Sequence, residues 1–438
     1  MRSTKFSSHA NSKRMFENIS SSPRRLDHIV MALFGAGSAI AYDVGIRLYI
    51  SEIVSIAMVV FYYRPGMINA YKNLSKIVFA YVMWMTAIII SDIFNATEVF
   101  DFLRNFASPL IGGISLVFVT SIFSRTPSSL LTYLFFVCLF KAVFGEAQYG
   151  DAFSDRTLSI ATVIEDANYF KVRIDPFLTP GILLAATVFA RKNLKSALTL
   201  LFFTGVIYLY LDDRSMGIVF LATATVGYYS TKTRMLLKRE LFLRAFVSVI
   251  FLYATYASYV YYTLQYNVDG HGGKQLTRID NPYNPTQLLF QGRSEWLVMP
   301  DAIAERPFFG WGSWAQDTGG RFNDLLLSRT QEQVIPSESL NYIPSHSLLG
   351  SAWVWSGILG FFAVARLLLI IIGMWRELFS AAPKYLPIAI FFYFNVLWDL
   401  LFSPPQQVRL AFPILLGLLI VVGERSRQSQ PAKSKVKM

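Results

Sequence analysis

The chain has 438 residues, of which 54% are hydrophobic and 16% charged, with mean hydropathy +0.42 and formal net charge +12. A soluble domain carries about a quarter charged residues. The repeated apolar runs of roughly 15 to 20 residues therefore exclude an ordinary soluble enzyme, and the lack of strand-period alternation excludes an outer-membrane barrel.

What remains is an all-α polytopic membrane protein. The positive charge does not indicate nucleic acid, because Lys and Arg cluster in short segments between apolar runs, as the positive-inside rule expects. The single cysteine, Cys138, sits inside an apolar run and excludes an intrachain disulfide or a thiolate metal cluster. The N-terminal segment carries Arg2, Lys5, Lys13, Arg14, Arg24 and Arg25 without a small-residue cleavage site, and reads as a cytoplasmic tail.

Twelve apolar runs follow in order: 29–43, 48–63, 77–90, 109–123, 130–144, 180–190, 197–211, 216–229, 241–262, 348–375, 386–402 and 411–422. Residues 91–105, with Asp92, Glu98 and Asp101, read as a polar outer loop. Gly357 and Gly360 predict a break that splits the tenth run into a short helix and a membrane helix. Twelve spans with both ends inside put the basic clusters Arg191-Lys192, Lys232 to Arg239 and Arg425 to Lys437 on the cytoplasmic side. The expected organisation is a basic tail (1–28), nine spans (29–262), one large outer loop with short helices (263–347), three spans (348–423) and a second basic tail (424–438).

Chemistry is expected where that loop meets the spans. Arg214 lies in Asp212-Asp213-Arg214-Ser215, just ahead of the eighth run. It reads either as a snorkelling cation paired with a neighbouring Asp or as a guanidinium whose planar fork holds two phosphate oxygens. Arg293 lies in Gly292-Arg293-Ser294-Glu295-Trp296, ahead of a helix predicted to reach Glu305. Ser294 is its expected N-cap, and Pro300 is expected to kink or shorten it. Alone, Arg293 reads equally as a solvated loop charge. The run Phe308-Phe309-Gly310-Trp311-Gly312 is an aromatic turn suited to lipid or sugar. His346 precedes the tenth run, with Ser345 or Ser347 as helix cap. It is either a boundary histidine or a neutral imidazole fit to accept a proton near neutral pH. Arg173 and Arg409 are secondary candidates for phosphate contact, and Asp399 is expected to pair with an arginine such as Arg409. No acidic pair has metal spacing, and no P-loop glycine motif is present in the sequence.

Taken in order, these segments resemble the O-antigen ligase and polymerase superfamily of bacterial membrane glycosyltransferases. Residues 293–312 resemble its Gly-Arg, Trp, Pro, Gly-x-Gly block, and residues 344–360 its His block with a Gly-x-x-Gly spacing. Arg214-Ser215 is similar to its Ser-Arg-Gly type motif, and residues 173–181 to a degenerate Arg, Gly, Pro-Asn block. Ser347 stands where the family often has Asn after the histidine. The resemblance implies a cofactor-free, metal-independent inverting glycosyltransferase of the inner membrane, its active site facing the periplasm. The donor would be an undecaprenyl-diphosphate-linked glycan and the acceptor a second glycan (polymerase) or lipid A-core (ligase). His346 would be the general base, Arg214 and Arg293 would stabilise the leaving diphosphate, and a chain-length regulator is a further expected partner. The departure at Ser347 favours the polymerase. A lipid-linked glycan transporter and a non-catalytic scaffold are the other classes weighed, but the ionisable residues sit at run ends and not at a membrane midplane.

Overall fold

The computed structural model describes residues 24–43, 47–144, 170–211, 213–232, 238–266, 273, 276, 277, 279, 281–287, 293–330, 342–345, 347–378, 384–403, 405 and 407–429. In chain order the helices are α1 (Arg24–Gly37), α2 (Ile50–Tyr62), α3 (Lys72–Asn95), α4 (Val99–Arg125), α5 (Ser129–Phe144), α6 (Asp175–Lys192), α7 (Leu194–Tyr210), α8 (Arg214–Lys232) and α9 (Lys238–Gln265). The loop contributes α10 (Met299–Glu305) and α11 (Arg321–Thr330), and α12 (Leu348–Leu378), α13 (Leu386–Phe402) and α14 (Phe412–Ser429) follow; Met67–Ala70 and Gln407–Leu410 are single helical turns. An α-helix stands at each of the twelve predicted runs. Three stretches, Lys72–Asn95, Val99–Arg125 and Leu348–Trp375, are long and apolar enough to cross a membrane by length and composition.

Two sequence expectations are corrected. Residues 91–105 are not a loop: α3 runs on to Asn95 and α4 begins at Val99. The buried stripe Ile77, Tyr81, Trp84, Ile88 continues through Ser91 and Asp92, so the helical period carries on across a change from apolar to polar residues. The first run ends early, at Gly37, and the chain then forms a small antiparallel hairpin, β1 (Ala41–Asp43) with β2 (Arg47–Tyr49).

α13 is the hub. Most of its residues are buried, and it packs against α12, α14, α8 and α6. Around it α3 packs on α12, α7 on α8, α1 on α5 and α4 on α14. Close helix approach in lipid depends on small residues and not on exclusion of water. Gly205 of α7 and Gly217 of α8 meet in this way: a Cβ on Gly205 would come 2.9 Å from the Gly217 carbonyl. At another end of the bundle Arg125 is 3.2 Å from Asp27, and its guanidinium covers the Tyr62 ring at 4.3 Å.

The predicted break in α12 falls at Gly357, whose φ of 63° and ψ of −161° are accessible essentially to glycine alone. A Cβ there would collide with the Phe308 carbonyl. Gly357→Ala is therefore expected to lower the melting temperature of the purified full-length protein by several degrees, the strain alone costing about 1–3 kcal/mol. Gly373→Ala, in the same helix with open space around it, is expected to leave the melting temperature unchanged or raise it. Equal behaviour of the two variants in a thermal unfolding scan would contradict this assignment of the break.

Candidate functional site

The loop is bound to the bundle by residues 307–313, which lie as a strap across the break in α12 and the end of α3. The break turns two α12 carbonyls outward, and the strap takes both: Trp311 N donates to Val354 O (2.8 Å) and Gly312 N to Trp355 O (3.0 Å). In return Ile358 N donates to Pro307 O (3.0 Å), and Trp353 Nε1 donates to the same carbonyl (3.1 Å). Gly310 and Gly312 have φ of 70° and 86°, and a Cβ on Gly310 would lie 2.6 Å from Val354 O. The Gly-x-Gly spacing is thus the spacing of two close backbone approaches.

α3 supplies the other half of the joint. Asp92 accepts from Ser313 N and from Ser313 Oγ, both at 2.6 Å, and Asn105 of α4 donates to the same hydroxyl at 2.8 Å. Ser91 Oγ lies 2.6 Å from both the Phe309 and Trp355 carbonyls. Arg306 donates to Asn95 Oδ1 at 2.9 Å and stacks on Trp311 at 4.1 Å. The expected aromatic turn is partly outward: Phe308 is 67% exposed, and Phe309 stacks on Phe94 at 3.9 Å.

Above the strap the loop has a small core of its own. Val298, Met299, Ala302, Ala315, Phe322, Ile343, Val354 and Trp355 are buried together, with Trp296 and Ile303 against them. The predicted helix through Glu305 is two pieces, a 3-10 turn over Ser294–Leu297 and then α10. Arg293, not Ser294, takes the N-cap position, and Pro300 sits in the first turn of α10, where its missing N–H breaks no helical bond. The guanidinium of Arg329 on α11 holds Asp301 on α10, with Nη1 2.6 Å from Oδ2 and Nη2 3.3 Å from Oδ1.

This scaffold carries Arg293 to the end of α13. Arg293 is close enough to Asp399 to act on it electrostatically, and Trp296 meets the Phe402 ring edge-on at 6.5 Å. Asp399 also accepts from Asn395 Nδ2 (3.1 Å) and Ser403 Oγ (2.7 Å). Its expected partner, Arg409, is instead engaged by Glu52 of α2, at 3.1 Å. Both members of that pair are buried, so Arg409 is poorly placed to meet a lipid phosphate.

Arg214 is the first residue of α8. Asp213 caps the helix, its Oδ1 accepting from Ser215 Oγ (2.9 Å) and Met216 N (3.4 Å); Asp212 lies outside the described residues. Arg214 acts electrostatically on Tyr256 of α9, whose hydroxyl donates to Pro282 O of the loop at 2.6 Å. Arg173 is exposed, in the π-helical turn Phe170–Ile174 that enters α6. Tyr208 joins these segments: Phe170 packs edge-on to its ring at 4.9 Å, and Asp213 N donates to its carbonyl at 2.9 Å. Its hydroxyl is 2.9 Å from Thr179 Oγ1, which donates to Asp175 at 2.5 Å. The structure therefore brings the segments bearing Arg173 and Arg214 to Tyr208 near one helix end, and the segment bearing Arg293 to another.

His346 lies outside the described residues. Its neighbours are fixed: Ser347 Oγ accepts from Gly350 N at 3.2 Å and caps α12, and Ser351 Oγ donates to Ser345 O at 2.6 Å. Of the two serines proposed as cap, Ser347 is the one that acts. The sequence reading put Asp92, Arg104 and Asn105 in an outer loop and gave none of them a role. The continuing buried stripe of α3 was the available signal for Asp92, whereas nothing local marks its partner Ser313.

Asp92→Ala leaves two buried donors of Ser313 without their acceptor, a loss of about 1–3 kcal/mol per orphaned group. Limited proteolysis of the purified protein is expected to cut near residues 307–313 in the variant and not in wild type. Asp301 gives a pH test. Its hydrogen bonds from Arg329 hold the carboxyl below the usual carboxylate range. A depressed folded value means the stabilisation is complete above about pH 3.9, the unperturbed Asp value, and is lost as pH falls through the folded value. The difference in loop protease resistance between wild type and Asp301→Asn is thus expected at neutral pH and expected to vanish in acid.

In comparisons with known proteins, no family model and no curated protein matches this chain.

Proposed function

We propose that this chain is a bacterial inner-membrane glycosyltransferase that polymerises undecaprenyl-diphosphate-linked glycan repeat units at the outer leaflet. The observation that carries the proposal is the seating of Trp296 on Phe402 at the end of α13, which brings the neighbouring Arg293 within electrostatic range of Asp399. A loop cation held at the end of a membrane helix is suited to meet a charged lipid headgroup. In the proposed topology of twelve spans with both termini inside, this end, the large loop and the head of α8 share the periplasmic side.

Helix geometry supports bringing the two arginines together. Phe220 of α8 and Phe391 of α13 are in ring contact at 4.8 Å. From there α8 runs six residues back to Arg214, and α13 runs eight on to Asp399. At 1.5 Å per residue these are rises of about 9 and 12 Å. In the twelve-span topology the two helices are antiparallel, so both rises point to the same leaflet surface.

In the reaction an acceptor hydroxyl attacks the anomeric carbon from the face opposite the diphosphate. The new C–O bond forms as the bond to the phosphate oxygen breaks, with inversion. The hydroxyl proton passes to His346, and the diphosphate leaves on the lipid. Arg214 and Arg293 stabilise the charge gathering on the leaving group, with Arg173 near the first of them. Asp399, held by Asn395 and Ser403, lies within electrostatic range of Arg293.

The test is surface glycan profiling in a strain lacking the protein, complemented with wild type or with Arg293→Ala, Arg214→Ala or His346→Ala. Wild type is expected to restore long glycan. Each variant is expected to insert normally and lose about 10²–10³-fold in product, the loss seen when one transition-state charge stabiliser is removed. Single repeat units on lipid A-core without long chains identify a polymerase. Long chains stranded on the lipid carrier would make the protein a ligase. Full restoration by His346→Ala would remove the assigned base.

A further inference from the structure

The loop core touches the bundle at a second place that the transfer chemistry does not use. Arg104, in the second turn of α4, lies over the Trp314 ring with its guanidinium carbon 3.6 Å from the centroid. Trp314 stacks on Trp355 at 5.4 Å and meets Tyr342 edge-on at 5.8 Å. It follows the strap directly, so the Asp92–Ser313 joint fixes its position. Ile343 N donates to Ala315 O at 2.8 Å and closes the other side.

Two features make Trp314 an unexpected residue here. Its φ of 53° is left-handed, which is unfavourable for a side chain of this size. Its indole N–H is shielded from water and has no hydrogen-bond partner among the described residues. Neither feature favours tryptophan on local grounds, and strain of this kind collects at functional sites. What tryptophan supplies is a broad ring that holds a guanidinium in one orientation. Arg104 and Tyr342 are both partly exposed. The segment bearing Tyr342 runs on through Ser345 to the capped start of α12, the position of the proposed base.

We propose that Arg104, Trp314 and Tyr342 form a saccharide subsite that holds the acceptor glycan. This rests on the glycosyl-transfer reading above, which requires a second sugar-bearing substrate whose hydroxyl approaches residue 346. A fixed guanidinium offers several donors in one plane to sugar hydroxyl or carboxylate oxygens. The neighbouring aromatic edges give the sugar ring an apolar wall.

The probe is the mixture of free repeat-unit oligosaccharides released by mild acid from the host's own surface polysaccharide. Binding to the full-length protein in lipid nanodiscs is measured by calorimetry. Wild type and Arg293→Ala are expected to bind equally, and Arg104→Gln and Trp314→Phe to bind at least tenfold more weakly. Trp314→Phe keeps an aromatic ring in the core, and Arg104→Gln changes a partly exposed side chain; each is checked by its melting temperature. No binding by wild type would overturn the subsite. So would wild-type affinity in a folded Arg104→Gln protein, or equal losses in Arg104→Gln and Arg293→Ala. Glycosyl transfer is assayed separately: an inactive wild type that still binds oligosaccharide through Arg104 would refute the transfer reaction and retain the saccharide site.

Discussion

The carboxylate of Asp92 receives both hydrogen-bond donors of Ser313, and most of what the loop does depends on that joint. Asp92 is buried at the end of an apolar helix, where an unpartnered carboxylate would be costly. The backbone N–H and hydroxyl of one loop residue satisfy both of its oxygens. The same segment covers the carbonyls freed where α12 leaves helical geometry at Gly357. Two local defects, a buried acid and a broken helix, thus complete each other. The result is a polar loop held by helix backbone at fixed register.

That register decides where the charged side chains go. The 3-10 turn and α10 sit on the strap through the small aromatic core of the loop, and they bring Arg293 to Asp399. The opposite flank of the same core brings Trp314 under Arg104. Arg173 and Arg214 reach the boundary independently, from the bundle, through the contacts of Tyr208. A rigid loop is what a charge-stabilising site requires, since donors that reorganise during reaction contribute less to lowering the barrier. The buried Glu52–Arg409 pair works differently: it ties α2 to the turn before α14 and is an internal structural contact.

The helices were legible because their signal is local. The run predicted at 386–402 and the helix Leu386–Phe402 coincide, bounded by Tyr385-Leu386-Pro387 at one end and Ser403 at the other. The break at Gly357 was legible for the same reason, since only glycine takes that backbone geometry. The joint was not. Asp92 and Ser313 are 221 residues apart, and no periodicity or motif encodes a contact between the end of one helix and a distant turn. Arg104 was hidden likewise, because its partner is a tryptophan with left-handed backbone, a conformation the sequence does not announce. The paired strands Ala41–Asp43 and Arg47–Tyr49 fall at the end of one predicted run and the start of the next, because Tyr and Leu serve strands as well as spans. Arg409 was offered as one arginine that could pair with Asp399, whereas packing gave it to Glu52.

The most direct measurement is transfer by the purified protein in proteoliposomes containing a lipid-diphosphate-linked repeat unit. Formation of a dimeric or longer glycan is expected, with the anomeric configuration of the donor linkage inverted and one lipid diphosphate released for each new bond. Movement of the intact donor across the bilayer without a new glycosidic bond, by a protein still folded in the membrane, would contradict glycosyl transfer.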